Sequence, residues 1–186
     1  LEGFGSEEGV IKGKSELYDF LIITSGFIFY NSDDEKQNKI LSKYTNKFGF
    51  SQKESDLNYT VISDNPNIIL NLKNTTIEST LFGSYNIQNI VSAVSIGYYF
   101  GISIEKIKVG ISNYISSNNR SQIVKKSSNK IVLDAYNANP TSMTLAIQSF
   151  NKSDLKNKIL ILGDMYELGK EEDKFHQEIV DYCESL

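Results

Sequence analysis

The strongest limit on the possible folds is a continuous apolar run near the end of the chain, Ile159-Leu160-Ile161-Leu162. A strand with one face in water alternates apolar and polar residues, whereas an unbroken apolar run is typical of a strand covered on both faces of a parallel sheet. Gly163 and Asp164 follow directly, at the carboxyl edge where such sheets bind ligands. The pattern therefore predicts an α/β fold with a strand over residues 158–163.

Helices and short strands are predicted along the rest of the chain. Ser6 can cap a helix because its hydroxyl accepts from the free N–H groups of the first turn, and Asn139-Pro140 marks another helix start in the same way. The predicted helices cover residues 6–20, 34–44, 86–100 and 103–114, a segment beginning at Pro140, and the end of the chain. The predicted strands cover residues 21–30, short pieces of 45–80, and 121–126, 131–135 and 158–163.

A run of turn-favouring polar residues, Ser116-Ser117-Asn118-Asn119, divides the chain. Mixed elements precede it, and a strand–helix–strand pattern typical of a Rossmann-like sheet follows it. We therefore predict two packing units, residues 1–119 and 120–186, joined at this run. Both ends of the sequence have the character of cuts within a longer protein.

Composition excludes several classes of function. The chain has 186 residues with 19 basic and 23 acidic side chains, and its net charge of −4 argues against a nucleic-acid partner. Its single cysteine, Cys183, cannot form a disulfide framework, which favours a reducing compartment. No apolar run approaches the ~18 residues that a membrane span needs. We therefore expect a cytoplasmic protein without membrane insertion.

Several polar residues are candidate ligand contacts, each with an ordinary alternative. The amides of Asn86 and Asn89 can both donate and accept at an adenine edge, or serve as a helix cap and a surface residue. Asp134, near the end of a predicted strand, suits a ribose hydroxyl, a phosphate-bound metal or a helix cap. Arg120 can reach phosphates across a cleft or lie at the surface. His176, in the last helix, fits a structural or exposed role.

Seven short sequence strings carry further information when they are taken together. They are LEGFGS (1–6), GKSE (13–16), NSD (31–33), YNIQN (85–89), NRSQ (119–122), DAYNANP (134–140) and LGDMYELG (162–169). In identity, order and spacing they resemble one known family, the Mur ligases of peptidoglycan synthesis. YNANP and LGDMYELG are the most specific of them, because they are typical of the branch that joins D-alanyl-D-alanine to UDP-N-acetylmuramoyl-tripeptide.

The resemblance implies the second half of a central ATPase domain followed by the first half of a Rossmann-like C-terminal domain. Because the family closes this joint over ATP, it also implies a mobile joint with a small polar interface. It implies ATP and Mg²⁺ as cofactors, the nucleotide-linked tripeptide and D-alanyl-D-alanine as substrates, and a monomer. In such ligases ATP phosphorylates the terminal carboxylate of the substrate, and an amine attacks the acyl phosphate. The phosphate loop and a metal-binding histidine of the family lie upstream of Leu1, so we expect this piece to be inactive by itself.

The resemblance also implies a role for individual residues. Lys14 matches the lysine that the family carbamylates, which turns a cation into an anion with two oxygen ligands for Mg²⁺. Asn86 and Asn89 match residues at the adenine, and Asp134 and Tyr136 match residues at the rest of the nucleoside.

Three further matches concern the reacting groups. Arg120 matches the arginine that stabilises charge on the transferring phosphoryl group as the domains close. Asn137 and Asn139 match a loop that faces the reacting groups and the dipeptide.

The chain also departs from the family at three positions. The family usually has His, Asp and Ser where this sequence has Tyr85, Leu133 and Ala135. On spacing alone Lys14 is an ordinary solvated lysine, and two other functions stay open. One is another ligase of the Mur or folylpolyglutamate type, which the YNANP string argues against. The other is a non-catalytic α/β module with a nucleotide-binding site.

Overall fold

The computed structural model describes residues 3–65 and 67–186, and most of its elements follow the predicted order. In this part of the chain the helices are α1 (Glu7–Ile23), α2 (Glu35–Ile40), α3 (Ile87–Tyr99), α4 (Ile104–Asn113), α5 (Pro140–Lys152) and α6 (Glu172–Glu184). The strands are β1 (Ile28–Asn31), β2 (Lys47–Ser51), β3 (Leu57–Ser63), β4 (Ile68–Leu72), β5 (Thr75–Ser79), β6 (Gln122–Lys126) and β7 (Asn129–Leu133).

The first unit is built on a mixed sheet with the strand order β1-β2-β3-β4-β5. β1, β2 and β3 run parallel, while β3, β4 and β5 form an antiparallel meander. Buried residues alternate along β3 and β4, so each strand turns one side toward the core. α3 and α4 contribute Val91, Val94 and Ile107 to that core, where they pack with Tyr59 and Leu70.

The second unit contains a hairpin and two helices. β6 and β7 pair antiparallel, with Ile123 opposite Val132. α5 and α6 pack around Ile147, Met165 and Ile179, which are all buried. No helix in the described ranges combines the length and the apolar character that a bilayer crossing requires.

The predicted strand at 21–30 is partly wrong, because its first residues extend α1 to Ile23. Apolar residues such as Leu21 suit either conformation, and the chain turns only at Thr24 and Gly26. Ser25 adopts a left-handed backbone conformation at this turn, with φ of 56°, and the absence of a side chain at Gly26 leaves room for the Leu21 side chain. The buried strand begins after it, at Ile28.

The predicted strand at 158–163 is wrong. These residues form no regular structure, and the side chains of Ile159 and Ile161 are 77% and 93% exposed. A strand needs a neighbour for its backbone hydrogen bonds, and β6 and β7, the strands described in this unit, pair with each other. The apolar run therefore has the composition of a buried strand without the neighbours that would bury it.

The polar run at 116–119 is ordered by hydrogen bonds. Ser116 is buried, and its hydroxyl contacts the Asn118 side chain and the Arg120 carbonyl. Asn119 and Ser121 adopt left-handed backbone conformations, with φ of 58° and 51°, on either side of Arg120. The chain therefore changes direction sharply here. The division into two units at this run and the mobility of the joint stay predictions.

Candidate functional site

A short 3-10 turn, Ser84–Asn86, leads directly into α3 and carries the first candidate residues. Gly83 precedes it with φ of 90°, and a Cβ atom there would lie 2.2 Å from the Tyr85 ring. Glycine is therefore required both by the backbone conformation and by the ring that covers it. The turn holds the Tyr85 side chain in place and directs Asn86 inward.

Asn86 and Asn89 contact each other but have different surroundings. Asn86 is 7% exposed, and its amide nitrogen donates to the Phe82 carbonyl at 2.8 Å and to the Ser121 hydroxyl at 2.7 Å. Asn89 lies exposed in the first turn of α3 and donates to the Asn86 side-chain oxygen at 3.2 Å. Because one of its N–H groups and its carbonyl oxygen remain, Asn89 can pair with the edge of a base.

Asp134 follows β7 and faces the same turn. Its Oδ2 accepts from the Tyr85 hydroxyl at 2.8 Å, and its Oδ1 accepts from the Ser121 backbone N–H at 3.1 Å. It is exposed, so its remaining lone pairs can accept from sugar hydroxyls. The alternative role as a helix cap is excluded, because Asn139 caps α5.

We call Tyr85, Asn86, Asn89, Ser121 and Asp134 the joint cluster, because its members come from both sides of the joint. Burial is the main cause that raises the pKa of the Tyr85 hydroxyl; the Ser121 hydrogen bond opposes it, while Asp134 adds to the rise. The hydroxyl is therefore protonated at neutral pH and acts as a donor to Asp134. The cluster presents an amide and a carboxylate to the solvent, a combination that suits a nucleoside.

Arg120 and Tyr136 form a second group beside the cluster. The guanidinium carbon of Arg120 lies 3.8 Å from the centre of the Tyr136 ring, close enough for a cation–π interaction. Both side chains are exposed, so the stacked guanidinium can still bind an anion. The segments that carry Arg120 and Asp134 are joined through the backbone, since the Ala135 N–H donates to the Asn119 carbonyl at 2.8 Å.

Asn139 begins α5 in a reciprocal cap. Its side-chain oxygen accepts from the Ser142 N–H at 2.9 Å, and its own N–H donates to the Ser142 hydroxyl at 3.1 Å. Its side-chain NH₂ remains for a ligand. Asn137 lies exposed in the preceding loop.

Lys14 is exposed on α1, and no described contact joins it to the joint cluster. Within residues 3–65 and 67–186, no group of three or more His, Cys, Asp or Glu side chains forms a cation site. A lysine ammonium cannot bind a cation, so Mg²⁺ would require the carbamate form of Lys14 or oxygen ligands from a nucleotide.

A separate groove of about 420 Å³ opens beside the carboxyl ends of β1 and β2. Asn31, Asp34 and Gln37 line it from one side, and Gln88 and Ser92 from α3 line the other. It contains none of the residues predicted from the sequence to bind a ligand.

His176 has the structural role that a lone helical histidine favours. Its Nε2 accepts from the Met165 N–H at 2.9 Å, so its Nδ1–H donates to the Glu172 carbonyl, also at 2.9 Å. This bridge fixes the loop after residue 163 against α6, with Met165 fully buried.

Ser121, like Tyr85, is a residue of the cluster to which the sequence assigned no role. Its hydroxyl contacts both Tyr85 and Asn86, whose positions are 36 and 35 residues away. The one available signal was Tyr85 itself, a departure within an otherwise matching string.

Comparison with known proteins gives two family matches that together span most of the chain. Residues 1–97 match the Mur ligase middle domain, and residues 119–186 match the Mur ligase, glutamate ligase domain. The UDP-N-acetylmuramoyl-tripeptide–D-alanyl-D-alanine ligase of Bacillus subtilis is 33% identical over 96% of this chain. The chain spans 40% of the length of that relative.

Solved structures give the same result. MurF from Acinetobacter baumannii superposes with a TM-score of 0.83 at 27% identity, covering 100% of this chain and 42% of its own. MurF from Thermotoga maritima, solved in complex with ADP, has the same fold, with a TM-score of 0.72 at 20% identity. That match covers 97% of this chain and 43% of the Thermotoga protein.

Proposed function

The chain belongs to the Mur ligase family, and on that premise we propose that the complete protein containing it adds D-alanyl-D-alanine to UDP-N-acetylmuramoyl-tripeptide with ATP. The observation that best supports a nucleotide site is the joint cluster. Asn86, Asn89 and Asp134, which the sequence resemblance assigned to the nucleoside, are linked by hydrogen bonds although the Tyr85–Asp134 contact spans 49 residues.

The proposed reaction proceeds in two steps. The terminal carboxylate of the tripeptide attacks the γ-phosphorus of ATP, which gives an acyl phosphate and ADP. The amine of D-alanyl-D-alanine then attacks the acyl carbon, and the tetrahedral intermediate expels phosphate to leave the amide. The negative charge that develops in both steps needs cationic partners positioned in advance.

Each side chain of the site has a proposed task. Asn89 pairs with the adenine edge, while Asn86 holds Asn89 in place and completes that side of the site. Asp134 accepts from the ribose hydroxyls. Tyr136 flanks the nucleotide and orients Arg120, whose guanidinium contacts the phosphates.

On the substrate side, we propose that Asn137 and the free NH₂ of Asn139 contact the substrate peptide. Asn139 suits this task because its cap on α5 already fixes the direction of its side chain.

Lys14 is proposed to act as a carbamate. Its exposed amine is accessible to CO₂, and the product has two hard oxygens of the kind that Mg²⁺ prefers. The metal would be held by these oxygens and by the ATP phosphates, and it would screen the phosphate charge. Because the substrate is a soluble nucleotide and ATP is required, we propose that the protein acts in the cytoplasm. We also propose that it is a monomer, as the family resemblance implies.

The test is a ligation assay with the complete protein, ATP, Mg²⁺ and UDP-N-acetylmuramoyl-tripeptide. With D-alanyl-D-alanine we expect an amide product together with ADP and phosphate, in equal amounts. Single amino acids such as glutamate should give no product in place of the dipeptide. Turnover with them would assign the chain to another ligase type.

The Lys14→Ala variant tests the carbamate. We expect it to abolish ligation, with no rescue by bicarbonate and partial rescue by short carboxylic acids. The matched control is Lys12→Ala on the same helix, which should retain activity. Full activity of Lys14→Ala would exclude the carbamate.

A further inference from the structure

The hydrogen bonds of the joint cluster have only one consistent direction. Tyr85 has a single O–H, and the Asp134 carboxylate can only accept, so Tyr85 donates to Asp134. The 2.9 Å contact between the Tyr85 and Ser121 hydroxyls must then be donated by Ser121. The Ser121 oxygen in turn accepts from the Asn86 amide at 2.7 Å. The result is a relay from Asn86 through Ser121 and Tyr85 to Asp134.

The two buried members of the relay, Asn86 and Ser121, are firmly held. Asn86 and Ser121 are 7% and 3% exposed, and the Phe82 carbonyl fixes which end of the Asn86 amide carries nitrogen. Both Asn86 N–H groups are committed to protein acceptors, and its oxygen accepts from Asn89. A chain of hydrogen bonds that ends on a carboxylate is polarised along its length, so each bond strengthens the next.

Tyr85 is fixed as well, and together with Ser121 it determines the direction of the Asp134 carboxylate. The Tyr85 ring lies against Gly83, where no side chain could fit, and its hydroxyl stays a donor because burial raises its pKa. Asp134 thus receives one hydrogen bond on each oxygen, from the Tyr85 hydroxyl and the Ser121 N–H. A carboxylate has about four lone-pair sites, so about two remain for a ligand, in directions that these donors determine.

We propose that Tyr85 and Ser121 are positioning residues that aim the Asp134 carboxylate at the ribose hydroxyls and connect it to the amides on the adenine side. This inference rests on the proposed nucleotide site and extends it to two residues that do not themselves bind the ligand. It also gives a reason for the tyrosine at position 85, since a phenol reaches Asp134 and accepts from Ser121 at the same time.

The experiment measures equilibrium binding of ATP and of 2′,3′-dideoxy-ATP, which lacks both ribose hydroxyls, to the complete protein by calorimetry. We expect Tyr85→Phe to weaken ATP binding by about five- to tenfold, the size of one ordinary hydrogen bond, because the ligand feels the loss only through Asp134. Dideoxy-ATP binding should weaken by less than about twofold. In an Asp134→Ala background, Tyr85→Phe should change neither affinity. Ser121→Ala should give the same selective pattern.

The matched control is Tyr114→Phe, which removes the hydroxyl of a half-exposed tyrosine outside the cluster and should leave both affinities unchanged. Equal weakening of both nucleotides by Tyr85→Phe would overturn the proposal, because it would mean that the hydroxyl supports the fold rather than the ribose contact. Unchanged ATP affinity would overturn it too.

The outcome is separable from that of the proposed function. A protein that discriminates between the two nucleotides through Tyr85 but forms no amide with D-alanyl-D-alanine would keep this inference and reject the ligase assignment. A protein that binds neither nucleotide would reject both.

Discussion

At the residue scale, two amides three positions apart in α3 and its leading turn should respond differently to truncation. Asn86→Ala leaves the Phe82 carbonyl without its side-chain donor and removes one of the two hydrogen bonds of the Ser121 hydroxyl, so we expect a loss of about 1–3 kcal/mol in the free energy of unfolding. Asn89→Ala at an exposed site should change that free energy by less than about 0.5 kcal/mol. It should instead raise the KM for ATP several-fold. Urea unfolding and ATP titrations of both variants check the contrast; equal stability of the two would contradict it.

Arg120 is the second residue whose role can be separated by measurement. A guanidinium that contacts the phosphoryl group most strongly in the transition state contributes to kcat more than to binding. We therefore expect Arg120→Ala to lower kcat by a larger factor than it raises the KM for ATP. Arg120→Lys keeps the charge but loses the planar stacking on Tyr136, so its kcat should lie between those of the wild type and Arg120→Ala. A higher KM with unchanged kcat would limit Arg120 to ground-state binding.

At the scale of elements, the start of α5 depends on the cap that Asn139 provides. Asn139→Ala removes a hydrogen bond to the Ser142 N–H, and we expect a loss of about 1 kcal/mol in the free energy of unfolding. Asn139→Asp keeps an acceptor and should retain most of that stability. If Asn139 also contacts substrate, Asn139→Asp should still impair ligation, because it removes the free NH₂. Denaturant unfolding and the ligation assay separate the two effects.

The elements themselves were predictable where a local signal existed. Ser6 and the Asn139-Pro140 pair cap helices as expected, and Gly101 ends α3 with φ of 77°. The strand predicted at 158–163 is wrong for a physical reason. An apolar run indicates a preference for burial, but it does not indicate whether a neighbouring strand exists to bury it. The boundary near residue 23 failed because leucine and isoleucine fit a helix and a strand almost equally well.

At the scale of the whole molecule, Tyr85 should make the stability of the fold depend on pH in the alkaline range. Its pKa is raised in the folded protein, so the folded state retains the proton after the unfolded chain begins to release it near pH 10. Stability is therefore fully present below about pH 10 and falls as the pH rises further. We expect the stability of the wild type relative to Tyr85→Phe to decrease as the pH rises above about 10. Urea unfolding of both proteins checks this, and a pH-independent difference would contradict it.

Several residues of the candidate site were named from the sequence, but their arrangement was not, and their contacts with ligands stay predictions. The resemblance to a family supplied Asn86, Asn89, Asp134 and Arg120 in advance. It could not supply the relay through Ser121, because that contact joins residues from two units and depends on how they pack. Local sequence patterns describe the first few neighbours of a residue, while hydrogen bonds across a joint depend on the whole fold.

The exposed run Ile159–Leu162 has a consequence for how the isolated chain behaves in storage. Short uncharged segments of high β-propensity are templates for cross-β fibrils when two copies meet. We therefore expect residues 1–186 to give thioflavin-positive aggregates whose lag time shortens with protein concentration. Ile161→Lys should lengthen that lag, whereas Ile23→Lys, at a helical site that is 82% exposed, should not. An equal effect of both charges would assign the aggregation to general colloidal attraction instead.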